Sequence, residues 1–329
     1  MSASDNNEVH GGVDLGGTKI QTVVLRGDGD VLGEAREQTP TSGGPEAVTE
    51  AVASAVREAA KAAGLEAGAL AAVGVGSPGE VDGRAGTVAQ ARNLPDWDGT
   101  FPLAERLGEA LGTRIALAND VQAATQAEVE LGAGRAYRSL LGVFWGTGVG
   151  GAVVVDGRLW LGRGAAGEIG HTVVKIGGRR CGCGRLGCLE AYAGRGSMER
   201  KARRLVEQGD RHTDLFEIME KRGRTRLTSG VWARALDRND KLATHLIDQA
   251  VEALGAGIAS AVNLLDVEAV IIGGGLGTRL GQPYVQRIRD AMMPHLFVDE
   301  RPPAIHLAAL GDLGGAIGAA LVARKAGAG

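Results

Sequence analysis

The sequence predicts an α/β protein made of two lobes, each with helices covering a mixed sheet. Three observations carry that prediction. A strand, glycine loop, strand, hairpin turn and strand open the chain, and the same pattern returns from Ser139 to Leu161, as in a duplicated unit. Helical periodicity and short buried strands alternate after each copy. At 329 residues, the chain is also too long for one small core.

Taken in order, Val13 and Leu15 lie in the first strand, Gly16-Gly17-Thr18 makes a tight turn, and Ile20 to Leu25 reads as the second strand. Asp28-Gly29 is a hairpin turn into a third, Val31 to Arg36. Val48, Val52, Val56 and Ala59 recur at helical spacing behind a Gly/Pro start, which predicts a helix from Pro45 to about Ala63. Ala71 to Val75 is a buried strand, Leu103 to Leu111 a helix, Arg114 to Leu117 a strand, and Val121 to Leu131 a helix closed by Gly132. In the second copy, Ser139 to Trp145 is a strand, Gly146-Thr147-Gly148 a loop and Ala152 to Val155 a strand. Asp156-Gly157 then turns into the strand Arg158 to Leu161. A long helix from about His245 to Leu265 and strands at Ala269 to Ile272 and Ile305 to Leu310 complete it, with a frayed tail after Ala323. The expected lobes are 1–118, completed by a C-terminal helix at about 314–329, and 119–313. Two such lobes would leave a cleft with the glycine loops facing each other across it.

Composition narrows the function classes. A net charge of -3 offers no long-range pull on nucleic acid or an anionic membrane, so a small-molecule partner is expected. The most apolar stretch, Ala253 to Leu265, is broken by Asn263 and stopped by Asp266, so no membrane span and a cytoplasmic location are expected. Glycine supplies 54 residues, which implies many tight backbone turns.

Asp14-Leu15-Gly16-Gly17-Thr18-Lys19 has the parts of a phosphate grip. The glycines let backbone N–H groups approach anionic oxygens, Thr18 adds a hydroxyl, Lys19 a cation, and Asp14 a carboxylate for Mg2+ or its waters. Gly146-Thr147-Gly148-Val149-Gly150-Gly151 can do the same in the second copy. Either loop alone reads equally well as a hairpin turn; their matching positions favour a triphosphate. The last run also fits the dinucleotide pattern GxGxxG, but so do runs starting at Gly74, Gly162 and Gly182, and a strand rather than a helix should follow it. Lys19 does not have Walker A spacing.

His171, Cys181, Cys183 and Cys188 form H-x9-C-x-C-x4-C, the donor types of a closed tetrahedral zinc site in a loop over 171–190. Such a full shell leaves no position for a catalytic water, so the zinc would be structural. Asn119-Asp120 ends a strand and opens a helix, a helix cap by the bland reading. A carboxylate there also stays ionised and can accept the proton of a hydroxyl attacking a γ-phosphorus.

With Asp14 to Lys19, Asn119-Asp120, Gly167-Glu168-Ile169-Gly170-His171 and Cys181-Gly-Cys-Gly-Arg-Leu-Gly-Cys188-Leu-Glu190 in this order, the chain resembles the ROK family of sugar kinases and sugar-responsive repressors over nearly its whole length. The resemblance implies a two-lobed, actin-like ATPase (ribonuclease H-like) fold, structural zinc, and a homodimer or dimer of dimers. It implies ATP-dependent phosphorylation of a hexose, glucose first, with Asp120 as base and with Gly79, Asn93, Asn119, Glu168, His171 and Glu190 at the sugar. His171 would use one ring nitrogen for zinc and the other for a sugar hydroxyl. Gly273-Gly274-Gly275-Leu276-Gly277 resembles the family's loop near adenosine. Ala152 departs from the pattern, standing where many members have another glycine. Alternatives are a kinase for N-acetylglucosamine, N-acetylmannosamine, mannose or fructose, polyphosphate as donor, or a repressor, for whose helix-turn-helix the start near Val9 leaves no room.

Overall fold

In the computed structural model, which describes residues 8–27, 29–91, 93–209 and 212–326, the opening meander forms as β1 (Val9–Leu15), β2 (Lys19–Arg26) and β3 (Val31–Gln38). Asp28 of the expected hairpin turn lies outside the described residues. The helix α1 (Gly44–Ala62) follows, burying Val48, Val52, Val56 and Ala59 on one face. After β4 (Ala72–Ser77) come three short strands, β5 (Glu80–Asp82), β6 (Thr87–Ala89) and β7 (Thr100–Phe101), which pair as a small antiparallel sheet. Two or three residues are too few to show a period, so the sequence left no sign of them. The helix α2 (Leu103–Leu111), β8 (Ile115–Asn119) and α3 (Asp120–Glu130) complete this run.

The large sheet has the order β3-β2-β1-β4-β8, antiparallel across the meander and parallel from β1 to β8. Alternation along β2 sends Ile20 and Val24 into the core with α1, and Val23 and Leu25 into a second cluster with Ala316, Ile317, Ala320 and Leu321. Those last residues belong to the terminal helix, Gly314–Ala326, which therefore covers the opposite face of the sheet. It seats directly on the strands: a Cβ added at Gly12 would lie 2.0 Å from the Ala316 carbonyl oxygen, and one at Gly74 1.8 Å from that of Ala319. The expected fray after Ala323 is thus corrected, because Ala323 is itself fully buried and the helix continues to Ala326.

The second unit repeats the plan. Its strands β9 (Leu140–Trp145), β10 (Val149–Val155), β11 (Arg158–Trp160), β12 (Ala269–Gly273) and β13 (Ala304–Leu307) take the order β11-β10-β9-β12-β13, again antiparallel then parallel. Between β11 and β12 run α4 (Glu190–Ala193), α5 (Arg195–Glu207), α6 (Leu215–Lys221), α7 (Ser229–Asp237) and α8 (Lys241–Leu265). α9 (Gly274–Leu280) and α10 (Gln282–Met292) precede β13. Trp145, Trp232, Leu246, Leu254 and Ile258 are fully buried in its core.

Two expectations shift here. The strand expected at Ile305 to Leu310 is Ala304–Leu307, since the chain turns away after Leu307. The division falls after Arg135 and again before Ala309, so α3 groups with the first unit and not with the second. Its buried residues Ala123, Ala124 and Ala127 are small enough for the terminal helix to lie against it, with a Cβ built at Gly318 only 1.9 Å from the Ala123 carbonyl oxygen. Among the described residues no helix is long and apolar enough to cross a membrane.

Candidate functional site

In the first unit the chemistry gathers at the carboxyl ends of the parallel strands, where open α/β sheets hold ligands. Asp14 pairs in register with Gly76, and Gly76 with Ala118, so Asp14, Gly76 and the Asn119-Asp120 step fall on one line across β1, β4 and β8. The loop after β1 is closed by Gly16 N–H donating to the Lys19 carbonyl at 3.0 Å, which leaves Gly17 and Thr18 exposed. Thr39, buried at the end of β3, donates its hydroxyl to the Gly16 carbonyl at 2.5 Å and so braces that loop. Lys19 Nζ is 3.2 Å from Asp312.

Asn93 lies against the same loop, since a Cβ on Gly17 would be 2.6 Å from its carbonyl oxygen. The Asn93 side chain is exposed while Leu94 and Trp97 anchor the segment in the core, Trp97 donating Nε1–H to the Val88 carbonyl at 3.2 Å. Gly79 holds a positive φ of 92° in the turn after β4, where any side chain would strike the Ala89 carbonyl oxygen at 2.5 Å.

Asn119 is the cap of α3, its side-chain oxygen accepting from Val121 N–H at 3.0 Å and Gln122 N–H at 3.3 Å. Asp120 is the first helical residue, where the helix dipole favours the charged form of a carboxylate. Close protein surroundings, then the charges of Asp120 and Asp312, push Asp14 up to about 7, with Lys19 pulling the other way. A carboxylate whose charge is disfavoured by its acidic neighbours in this way fits a divalent cation, whose charge would reverse that cost.

In the second unit the loop after β9 is the counterpart, with Gly146 N–H donating to Gly148 O at 3.0 Å and Thr147 exposed. The strand β10 already starts at Val149, so Val149, Gly150 and Gly151 belong to a strand and not to the loop, and no helix follows as a dinucleotide site would need. Glu190 opens α4 and accepts from Val149 N–H at 3.0 Å, and a Cβ on Gly148 would meet the same carboxylate oxygen at 2.2 Å. Arg195, first in α5, donates from its guanidinium to Thr147 Oγ1 at 2.8 Å and to Ser229 Oγ at 2.9 Å. The 273–277 run is not a loop: it closes β12 and opens α9 at Gly274, because Gly274 with φ 79° turns the chain straight into the helix. A Cβ built on Gly146 lies 3.8 Å from Gly275 N, so these glycines adjoin the loop after β9. The Leu276 side chain, however, is fully buried, leaving only main chain there for a ligand.

The thiols and imidazole come together as the spacing requires. Cys181 Sγ is 3.8 Å from His171 Nδ1 and Cys183 Sγ is 3.8 Å from Cys188 Sγ, with all four donor atoms within 4.8 Å of one another. Zinc–sulfur bonds of about 2.3 Å put tetrahedral ligands roughly 3.8 Å apart, so the donor set fits a zinc ion. Burial pushes the Cys181 thiol up to about 12, a cost that a bound cation removes. His171 turns Nδ1 to the thiols and leaves Nε2 outward, 4.0 Å from Glu168. Cys181 also lies 3.8 Å from Glu190, so Glu190 links the cluster to the glycine loop after β9.

The ROK family model matches residues 10–326. The chain belongs to the ROK family. This ROK protein is 33% identical to the glucokinase of Thermotoga maritima, over 86% of this chain and 88% of that one. It is 31% identical to the N-acetylmannosamine kinase of Pasteurella multocida, over 87% of each. Among solved structures, the ROK family glucokinase from Streptomyces griseus in complex with glucose and AMPPNP matches with a TM-score of 0.82 and 32% identity, over 96% of this chain and 99% of that one. The structure adds Thr39, Arg195 and Ser229 to the residues the ROK motifs single out. Thr39 and Arg195 are far in sequence from the loops they touch, Ser229 is far from the Arg195 it holds, and none carries a motif of its own.

Proposed function

We propose that this chain is an ATP-dependent hexose kinase that takes glucose first. It transfers the γ-phosphoryl group of ATP to a sugar hydroxyl. The observation that carries the proposal is the convergence of Asp14, the Gly16–Lys19 loop and Asp120 at neighbouring strand ends of one sheet, in a chain that resembles glucokinases over most of its length. In this reading the Gly17-Thr18 and Gly146-Thr147-Gly148 segments, exposed at Gly17, Thr18 and Thr147, bind phosphate oxygens through main-chain N–H groups and hydroxyls. Asp120 accepts the hydroxyl proton as the sugar oxygen bonds to the γ-phosphorus and the bond to ADP breaks. Asp14, with Asp120 nearby, would hold the Mg2+ that arrives with ATP, and that ion would neutralise charge on the phosphates.

Asn93 and Asn119 present amides to sugar hydroxyls, and the same proposal keeps the sugar contacts that the resemblance gives to Gly79, Glu168, His171 and Glu190. The nucleotide turn is assigned to Gly274, Gly275 and the Leu276 main chain. Zinc on His171, Cys181, Cys183 and Cys188 would be structural and would fix the ring of His171. The repeated sheet topology supports the actin-like fold. The proposed setting is the cytoplasm.

The test is an ATP-consumption assay over glucose, mannose, fructose and the N-acetylhexosamines, on the natural chain and Asp120→Asn. The natural chain should phosphorylate glucose. The variant should keep glucose affinity within a few-fold while turnover falls by at least about 10². Near-normal turnover in the variant would remove Asp120 from the mechanism. The similarity to an N-acetylmannosamine kinase makes an acetamido sugar the second reading, which preference in the same assay would decide.

A further inference from the structure

We propose that Arg195 is a phosphate-binding residue of the nucleotide site, its guanidinium engaging the terminal phosphates of ATP; this rests on the kinase reading above and deepens it. Two segments of the second unit meet at this side chain, and a third adjoins them. Arg195 Nη2 reaches Thr147 of the phosphate loop and Nη1 reaches Ser229 at the start of α7. Gly275 adjoins both, since a Cβ built on it lies 3.6 Å from Ser229 Oγ and it neighbours Gly146. The main-chain N–H groups at the start of α5 are already used: Arg195 donates to the Gly146 carbonyl at 3.1 Å and Gly196 to that of Thr147 at 2.9 Å. The helix terminus is therefore the scaffold of the loop, and the guanidinium is the cationic group left to meet an anion.

Its partners do not supply that anion. Both hydrogen-bonded groups are neutral hydroxyls, and among the described residues no carboxylate stands within ion-pair distance of Arg195. The nearby carboxylate of Glu199 is committed elsewhere, one oxygen to Arg203 at 2.7 Å and the other to Leu227 N–H at 3.0 Å. A guanidinium carries five N–H donors in a planar fork, and among the described residues two of them are engaged. Burial works against this cation and pulls its pKa below the usual arginine range; the charge of Glu199 offsets part of that and the charge of Arg226 adds to it. A half-enclosed cation with unused donors and no carboxylate bonded to it among the described residues, placed on the hydroxyl of a phosphate loop, suits two or more phosphate oxygens taken by a fork.

The alternative is that Arg195 only braces Thr147 and Ser229. The two roles separate by ligand charge. Calorimetric titration of the full chain with ATP, ADP, AMP and adenosine would be run on the natural protein, Arg195→Gln and Arg195→Lys. Gln keeps hydrogen-bond donors for the hydroxyls and drops the charge. The expected result is a loss of about 10- to 100-fold in ATP affinity for Arg195→Gln, with adenosine within two-fold and the KM for the hexose unchanged. Arg195→Lys should recover part of that loss, and it replaces the test if Arg195→Gln does not fold: its ATP affinity should fall by about three- to ten-fold with adenosine unchanged. Equal weakening of ATP and adenosine, or ATP affinity within two-fold of the natural chain, overturns the proposal while the kinase reading stands. Failure of the natural chain itself to bind ATP overturns both.

Discussion

Glu128 offers the sharpest test of how the first unit is held. Only 2 % exposed, it directs one carboxylate oxygen at Ala133 N–H (2.8 Å) and Ala309 N–H (3.0 Å), and the other at Leu310 N–H (2.9 Å). The chain leaves this unit just after the first of these amides and returns to it at the other two. Glu128→Ala would strip three main-chain donors of their acceptor at once. Each buried donor left unsatisfied costs about 1–3 kcal/mol, and water entering the vacated space offsets part of the sum, so a net loss of about 4 kcal/mol is expected. That is a large share of the roughly 5–15 kcal/mol that keeps a typical domain folded. Glu128→Gln retains one acceptor oxygen but turns amide hydrogens toward an N–H group, and should lose about half as much. Urea unfolding measures the total, and hydrogen exchange at Ala133, Ala309 and Leu310 localises it. A loss below about 1 kcal/mol for Glu128→Ala, with those three amides still protected, would show that Glu128 does not anchor them.

Asp14 ties stability to pH in the direction opposite to an ordinary paired carboxylate. Its folded pKa of about 7 lies above its unfolded value of 3.8, so between those pH values the folded chain binds the extra proton and stability falls as pH rises. Asp14→Asn should therefore raise the melting temperature of the nucleotide-free protein at pH 8, with the gain vanishing near pH 4, while phosphoryl transfer is lost; an equal gain at both pH values would contradict this. For the cysteine cluster, metal analysis should find about one zinc per chain, and Cys188→Ser should disorder the 171–190 loop, because structural zinc contributes on the order of 10 kcal/mol to the segment it folds. A zinc-free preparation with full activity and an ordered loop would rule out the scaffolding role.

Much of this was legible from residue order because it is local chemistry. The valines of α1 repeat at the helix period, the glycine-threonine turns follow strands, and the cysteines are close enough that a short hairpin must gather them. Local pattern misled where its range was too short. The Gly273–Gly277 run read as a loop, yet a single positive φ at Gly274 starts α9. The chain after Ala323 read as a tail because its polar ending hid the buried side of the helix.

Residue order alone dictates the duplicated meander, the two glycine loops, the donor set for a metal and the Asn119-Asp120 step at a helix start, since each depends on residues a few places apart. Tertiary packing alone settled that Asp14 and Asp120 share strand ends, where the charge of Asp120 raises the proton affinity of Asp14, that Thr39 and Arg195 brace the two glycine loops, that Leu276 faces the core, and that Glu128 ties down amides nearly two hundred positions away. No periodicity encodes such pairs. They exist because packing of sheet against helix brings distant main chain within hydrogen-bonding distance, and burial then makes each polar partner costly to lose.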